Sequence, residues 1–250
     1  MSNGRVVLVT GSGKRRVGSV VADALARRGY AVAVHFRTSE AEAEQTAAEL
    51  RTHGVDVATF QADLADETAV RRLVSEVLAR FGRIDVLVNC AAVWQSKPLE
   101  DVTAADVRFH FDTNALGTFL MGQHVGLQMV KQADGGAIVN IGDWAEVRPY
   151  RNYAAYFPSK GAVTAITKTL AVELGTRNPK VRVNQISPGP VMLPPDLPEA
   201  EKREAIDATL VKREGSPANV AAAVLSLVEN DFITGAVLPV DGGRTVYAPD

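Results

Sequence analysis

The 250-residue chain carries a single cysteine, Cys90, which excludes an internal disulfide framework, and its four histidines show no metal-ligand spacing. Long apolar runs are missing as well. None approaches the ~20 residues of a membrane-spanning helix, and Val6-Val7-Leu8-Val9 is too short for the core of a secretory leader. Neither sign of charge dominates: 27 Lys+Arg against 29 Asp+Glu leave a formal net charge of -2, which provides no field to attract nucleic acid or an anionic membrane. No repeat, low-complexity stretch or linker divides the chain. What is present is an apolar share of 46%, ample for a core, in a length that suits one α/β domain over residues 1–250, with a cytoplasmic setting expected.

Short β-branched runs alternate with longer helical patterns. Strands are expected at Arg5–Thr10, Tyr30–His35, Asp56–Gln61, Ile84–Asn89, Ala137–Ile141, Arg182–Ile186 and Ala236–Val240. Most are continuously apolar, as strands buried on both faces are. Helices are expected at Val17–Arg28, Ser39–His53, Glu67–Phe81, Ala104–Lys131, Ala155–Gly175 and Pro217–Glu229. This alternation predicts a doubly wound, Rossmann-type α/β fold: a seven-stranded parallel sheet flanked by helices. Residues 188–212, with prolines at 188, 190, 194, 195 and 198, break the rhythm at the carboxyl edge of the sheet and suit a substrate lid.

The first strand leads into Thr10-Gly11-Ser12-Gly13-Lys14-Arg15-Arg16-Val17-Gly18, which opens the first helix. Glycines allow close backbone approach to a pyrophosphate, and the helix N-terminus favours its charge. The three consecutive cations suit either a solvated basic turn or phosphate contact. The end of the second strand favours the latter. NAD-specific folds place an acid there for the ribose 2′-hydroxyl. Here the sequence is His35-Phe36-Arg37-Thr38-Ser39, a cation and hydroxyls fit for a 2′-phosphate. NADP is therefore the expected cofactor, and His35 is set either to reach its adenosine phosphate or to pack the strand end.

Tyr156 and Lys160 stand four residues apart, on one helix face. Pro158 between them is tolerated only in a first turn, so the pair belongs at the helix mouth. A phenol of pKa ~10 is a poor acid at neutral pH, and a neighbouring ammonium pulls that value down.

With the glycine turn, Ala62-Asp63-Leu64, Asn89-Cys90-Ala91-Ala92, Asn114, the Tyr156/Lys160 pair, Ser187-Pro188-Gly189 and Val240-Asp241-Gly242-Gly243 in this order, the chain resembles the short-chain dehydrogenase/reductases over nearly its whole length. The resemblance implies nicotinamide-dependent hydride transfer. Tyr156 would be the acid/base, Lys160 would hold the nicotinamide ribose and lower the tyrosine pKa, and Asn114 would anchor a water relaying protons to Lys160. Asp63 and Leu64 would flank the adenine. Gly11, Lys14, Arg15, Arg16 and Val17 of the turn, Asn89, Ala91, Pro188 and Gly189 would contact the cofactor. A homotetramer packed through the helices around 104–131 and 155–175 is implied as well.

The chain departs from the common pattern in three places. Asp143 stands where a serine is usual, thirteen residues before Tyr156; the glycine turn is one residue longer and carries Arg16 in place of a glycine; and the fourth-strand motif reads Asn-Cys-Ala-Ala. The first two are similar to pteridine and dihydromonapterin reductases. In that subgroup Trp94 would sandwich a flat pterin, and Arg16 would reach toward substrate and cofactor phosphate. Asp143 has a matching logic: a carboxylate repels a developing oxyanion but assists where the reduced bond is C=N and a nitrogen needs a proton. Its other reading is a loop cap, or a partner of Arg148 or Arg151. Trp144 suits a pocket wall or the core, and Cys90 a small buried filler. The expected activity is NADPH-dependent reduction of a pterin- or folate-like substrate at Trp94, Arg16, Asp143 and Tyr156. The alternatives are a carbonyl reductase of the same family and a cofactor-sensing protein without catalysis.

Overall fold

The computed structural model describes residues 4–248. Seven strands, β1 (Val6–Thr10), β2 (Ala31–Phe36), β3 (Val57–Gln61), β4 (Val86–Asn89), β5 (Gly136–Ile141), β6 (Val181–Pro188) and β7 (Val237–Val240), form one all-parallel sheet in the order β3-β2-β1-β4-β5-β6-β7. Successive side chains of a strand point to opposite faces, and β1 shows the result. Val6 and Leu8 enter one core with α3 (Glu67–Phe81), α5 (Gly117–Lys131) and α6 (Tyr156–Gly175). Val7 and Val9 enter a second core with α1 (Val17–Ala26), α2 (Glu40–Arg51) and α8 (Pro217–Glu229). Both faces are thus covered, which explains why β1 and β2 are buried throughout and apolar but for Thr10 and His35. No helix among the described residues is long and apolar enough to cross a membrane.

Two expected elements differ. The helix expected over 104–131 begins as α4 (Ala104–His110), widens into a π-helical turn at Phe111–Leu116 and resumes as α5. Such bulges gather at functional sites, and this one holds Asn114. The cause is tertiary: the Asn114 side chain pairs with the backbone of Val93, which accepts at 3.0 Å and donates at 2.8 Å, and Thr118 Oγ1 donates to the Asn114 carbonyl at 2.7 Å. The proline-rich stretch 188–212 contains a helix, α7 (Glu199–Asp207), exposed along most of its length, followed by a turn in which Lys212 has φ 52°.

The strand order reverses direction between β1 and β4, and the crevice outside the carboxyl ends of these strands is where doubly wound sheets bind ligands. Thr10 stitches the crevice floor, its Oγ1 accepting from the Cys90 and Ala91 amides at 3.0 Å each.

Candidate active site

The glycine turn lies directly on this floor. Gly11 has φ 64°, and a Cβ there would stand 2.8 Å from Ala91 Cα, so no other residue fits between β1 and the end of β4. Arg16 at the N-cap of α1 carries no acceptor, which leaves the first amides of the helix without a capping side chain and open to an anion. The cations of the turn diverge. Lys14 leans on Glu42 at 3.6 Å and Arg15 on Glu49 at 3.7 Å, exposed pairs of little energetic weight, whereas Arg16 and Arg37 have no carboxylate partner among the described residues. Arg37 and Thr38 are exposed just beyond β2.

Two expected cofactor contacts take other roles. His35 is 2% exposed; its Nδ1 accepts from the Gly11 amide at 3.0 Å and its Nε2 donates to the Ala62 carbonyl at 3.1 Å. Burial pushes its pKa down to about 4, so it is a neutral brace beneath the turn, with both ring nitrogens occupied, rather than a phosphate ligand. The Leu64 side chain is a core residue, packed closely against Gly117, so that only its backbone is left to face the crevice. Asp63 stays exposed, its Oδ1 accepting from the Ala65 amide.

A nicotinamide cofactor fits these residues. The floor is lined by backbone held close at Gly11, and Asn89 Oδ1 is buried in the crevice wall without a hydrogen-bond partner among the described residues while Nδ2 of the same side chain donates to Asn140 at 2.9 Å. Ala91 is part-buried beside it. On the far side Pro188 closes β6, and Gly189 approaches the turn after β7 so closely that a Cβ would lie 2.6 Å from Asp241 Cα.

Four candidate catalytic residues converge at the mouth of α6. Tyr156 is its first residue and Pro158 its third, as the proline requires. Tyr156 Oη donates to Asp143 Oδ2 at 2.9 Å, and Asp143 Oδ1 accepts from the Ala145 amide at 2.9 Å. Asp143 therefore caps its own turn and reaches the phenol together; Arg148 is turned away, onto the carbonyls of Arg244 and Tyr247. Lys160 is 4% exposed and donates to the Ile141 carbonyl at 2.9 Å. Asn114 donates to Val93 O and Ser159 Oγ, both at 3.0 Å, so its side chain braces the loop that carries Trp94 and is not an open anchor for water.

The electrostatics overturn one expectation. Tyr156 is not acidified: burial, and then the charge and hydrogen bond of Asp143, raise its pKa well above the ordinary phenol value. Lys160 is itself desolvated, which lowers its pKa, and its ammonium is held on a carbonyl. Burial also raises the Asp143 carboxyl above the usual range, against the opposing pulls of the Ala145 amide and Lys160. The site thus holds a neutral phenol against a carboxyl that takes up a proton readily. The Cys90 thiol is pushed up to about 12 by burial and is inert.

Around the phenol stands an aromatic wall whose members are scattered along the sequence. Trp94 and Tyr153 stack at 5.3 Å and 12°, Tyr150 meets Tyr153 and Phe157 edge-on, and Trp144 lies beneath the Arg244 guanidinium at 4.4 Å. Trp94 is 47% exposed, leaving one side of the wall open. Trp144 is 9% exposed and belongs to the packing. The loop of Tyr150 and Tyr153 turns through Asn152 at φ 70°, a left-handed position that asparagine tolerates better than most residues.

A parallel Rossmann-type sheet with a glycine turn and a Tyr–Lys helix mouth defines an oxidoreductase that uses a nicotinamide cofactor. The sequence agrees. Residues 12–245 match the family described as Enoyl-(Acyl carrier protein) reductase. The chain is 37% identical to the D-threitol dehydrogenase of Mycolicibacterium smegmatis, over 98% of this chain and 94% of that protein. It is 32% identical to the 3-oxoacyl-(acyl-carrier-protein) reductase FabG of Staphylococcus epidermidis, over 94% and 97%. Its fold matches the crystal structure of acetoin dehydrogenase from Enterobacter cloacae with a TM-score of 0.88, at 31% identity, covering 100% of this chain and 98% of that one. The chain belongs to the short-chain dehydrogenase/reductase family.

Proposed function

We propose that this oxidoreductase uses NADPH to reduce the C=N bond of a flat, pterin- or folate-like substrate, with the Tyr156–Asp143 pair furnishing the proton. The observation that carries this reading is the 2.9 Å hydrogen bond from Tyr156 Oη to Asp143 Oδ2. A carboxyl at this position opposes the oxyanion of carbonyl reduction when ionised, but replenishes a phenol that protonates nitrogen. Bound NADPH supplies the hydride. The chain's residues do the rest: Lys160 and Asn89 line the nicotinamide side, Tyr156 delivers its proton to the ring nitrogen and Asp143 supplies the replacement. Arg16 reaches substrate and cofactor phosphate. The open face of Trp94 receives a planar ring, a contact worth ~1 kcal/mol beyond its buried area.

NADP is supported by Arg37, an exposed cation beyond β2 where an acid would mark NAD. Arg37→Ala is expected to raise the KM for NADPH by about tenfold, the worth of a charge-assisted hydrogen bond, and to leave that for NADH nearly unchanged. Equal effects on the two cofactors would remove Arg37 from the 2′-phosphate.

A second reading, carbonyl reduction, is favoured by the relatives, among them a 3-oxoacyl reductase and a polyol dehydrogenase. With Asp143 protonated, the pair donates to a carbonyl oxygen equally well. NADPH oxidation is to be followed with dihydrobiopterin, dihydromonapterin and dihydrofolate beside ketones and 3-oxoacyl thioesters. Turnover of the pterins alone is expected; turnover of the carbonyl compounds alone would replace the first reading by the second.

A further inference from the structure

Beside the Trp94–Tyr153 stack, the loop after β4, the loop before α6 and helix α4 enclose a cavity of about 30 Å³ lined by Gln95, Ser96, Lys97, Asp106, His110 and Asn152, among others. His110 is 2% exposed, and its ring stands edge-on to that of Tyr156 at 5.9 Å. Its Nδ1 lies 2.8 Å from the Asp106 carbonyl, which can only accept, so Nδ1 carries a proton, and in the neutral ring Nε2 presents a bare lone pair. That Nε2 is buried and has no hydrogen-bond partner among the described residues. A buried acceptor without a donor is a standing destabilisation, and an apolar residue of similar size would avoid it.

The other polar groups of the cavity do not relieve it. The Asp106 carboxylate is held by Lys97 Nζ at 2.8 Å and the Thr103 amide at 2.7 Å, and it has no proton to give. Asn152 is engaged through its backbone, accepting from the Lys97 amide at 2.7 Å. The space has room for one water-sized group and none for a ring. What completes it must donate a hydrogen bond to His110 and can accept one from Lys97, whose ammonium has protons to spare beyond Asp106.

We infer that this cavity is a subsite for one hydrogen-bond-donating group, an amino or hydroxyl substituent on the edge of the substrate, with His110 Nε2 as the acceptor. The inference rests on the reading above only in taking the cleft at Trp94 and Tyr156 as the substrate's. It adds a specificity residue outside the Tyr156–Asp143–Lys160 set. Between turnovers a water serves the same bond, and the substrate substituent displaces it.

The test compares paired substrates on the 250-residue protein. One pair is 6-methyl-7,8-dihydropterin and its analogue with methyl in place of the 2-amino group; the other is acetophenone and its ring-hydroxylated derivatives. For the pair that the protein turns over, the donor-bearing member is expected to have a kcat/KM about tenfold higher, an advantage residing in KM. In His110→Leu the two members should become equivalent. In His110→Gln, whose amide oxygen can still accept, part of the preference should return. Thermal melting and NADPH affinity check that each variant is folded; should His110→Leu not fold, the wild-type pair and His110→Gln decide. Equal kcat/KM for both members in the wild type, or an undiminished preference in His110→Leu, overturns the subsite. So does a substrate-bound crystal structure with water still on His110 Nε2, since the cavity then serves a water only. Turnover of ketones without pterins would end the pterin reading while the hydroxylated ketones still test His110.

Discussion

Tyr156→Phe abolishes turnover in the mechanism argued above, with an expected loss in kcat of about 10²–10⁴, the usual contribution of a positioned proton donor. The substitution is a clean probe because the ring keeps its surroundings. His110, Tyr153 and Phe157 all pack on the ring rather than on the hydroxyl, and only the bond to Asp143 disappears. Asp143 retains the Ala145 amide, so its turn keeps its cap. The cofactor crevice is formed by other elements, and NADPH affinity should change little. Stopped-flow hydride transfer and fluorescence titration of NADPH separate the two effects. Turnover within a few fold of wild type would take the phenol out of the reaction.

Asp143→Asn is expected to change the pH profile as well as the rate. In the folded protein the Asp143 carboxyl titrates above its ordinary range because it is buried. It is therefore protonated below this raised pKa and ionised above it. Reduction consumes a proton, so the rate of the wild type should fall as pH rises through that pKa, where the supply behind Tyr156 is lost. Asparagine has no such proton: its rate should be lower by about 10²-fold or more, and the descending limb assigned to Asp143 should be absent. Asp143→Ser should shift preference toward carbonyl substrates, since a hydroxyl donates to an oxyanion without opposing it. Identical limbs in wild type and Asp143→Asn would assign the titration to another group.

The sheet could be read from the sequence because its information is local. Val6–Val9 and Val86–Val88 are apolar at every position, and burial on both faces demands just that. Helix α7 could not be found in this way. Its sequence Glu-Ala-Glu-Lys-Arg-Glu-Ala-Ile-Asp has helical propensity but no apolar stripe, because no face of it is fully buried. The π-turn was hidden for the opposite reason: Phe111–Leu116 looks like ordinary helix, and what widens it is the bond from Asn114 to Val93 on another segment. Within the site, the Tyr156–Asp143 offset was legible and the two groups do meet. The acidity of Tyr156 was not, since helix spacing puts Lys160 on the right face but says nothing of the burial and the Asp143 charge that raise the phenol pKa, or of the Ile141 carbonyl that accepts the Lys160 hydrogen bond. The roles of His35 and Leu64 likewise depend on partners from other strands and helices, Gly11, Ala62 and Gly117.

The turn after β7 bears on how the protein should be handled. Asp241 packs against Gly189, Arg244 lies over Trp144 and donates to the Ala205 carbonyl of α7, and Arg148 grips the backbone at Arg244 and Tyr247. Residues 241–247 are thereby woven into the roof of the cleft, while the strand that opens the described chain, β1, begins at the opposite rim of the sheet. An affinity handle fused ahead of β1 stands away from that roof, whereas one fused behind Tyr247 is joined to the segment whose Arg244 covers Trp144, the neighbour of Asp143.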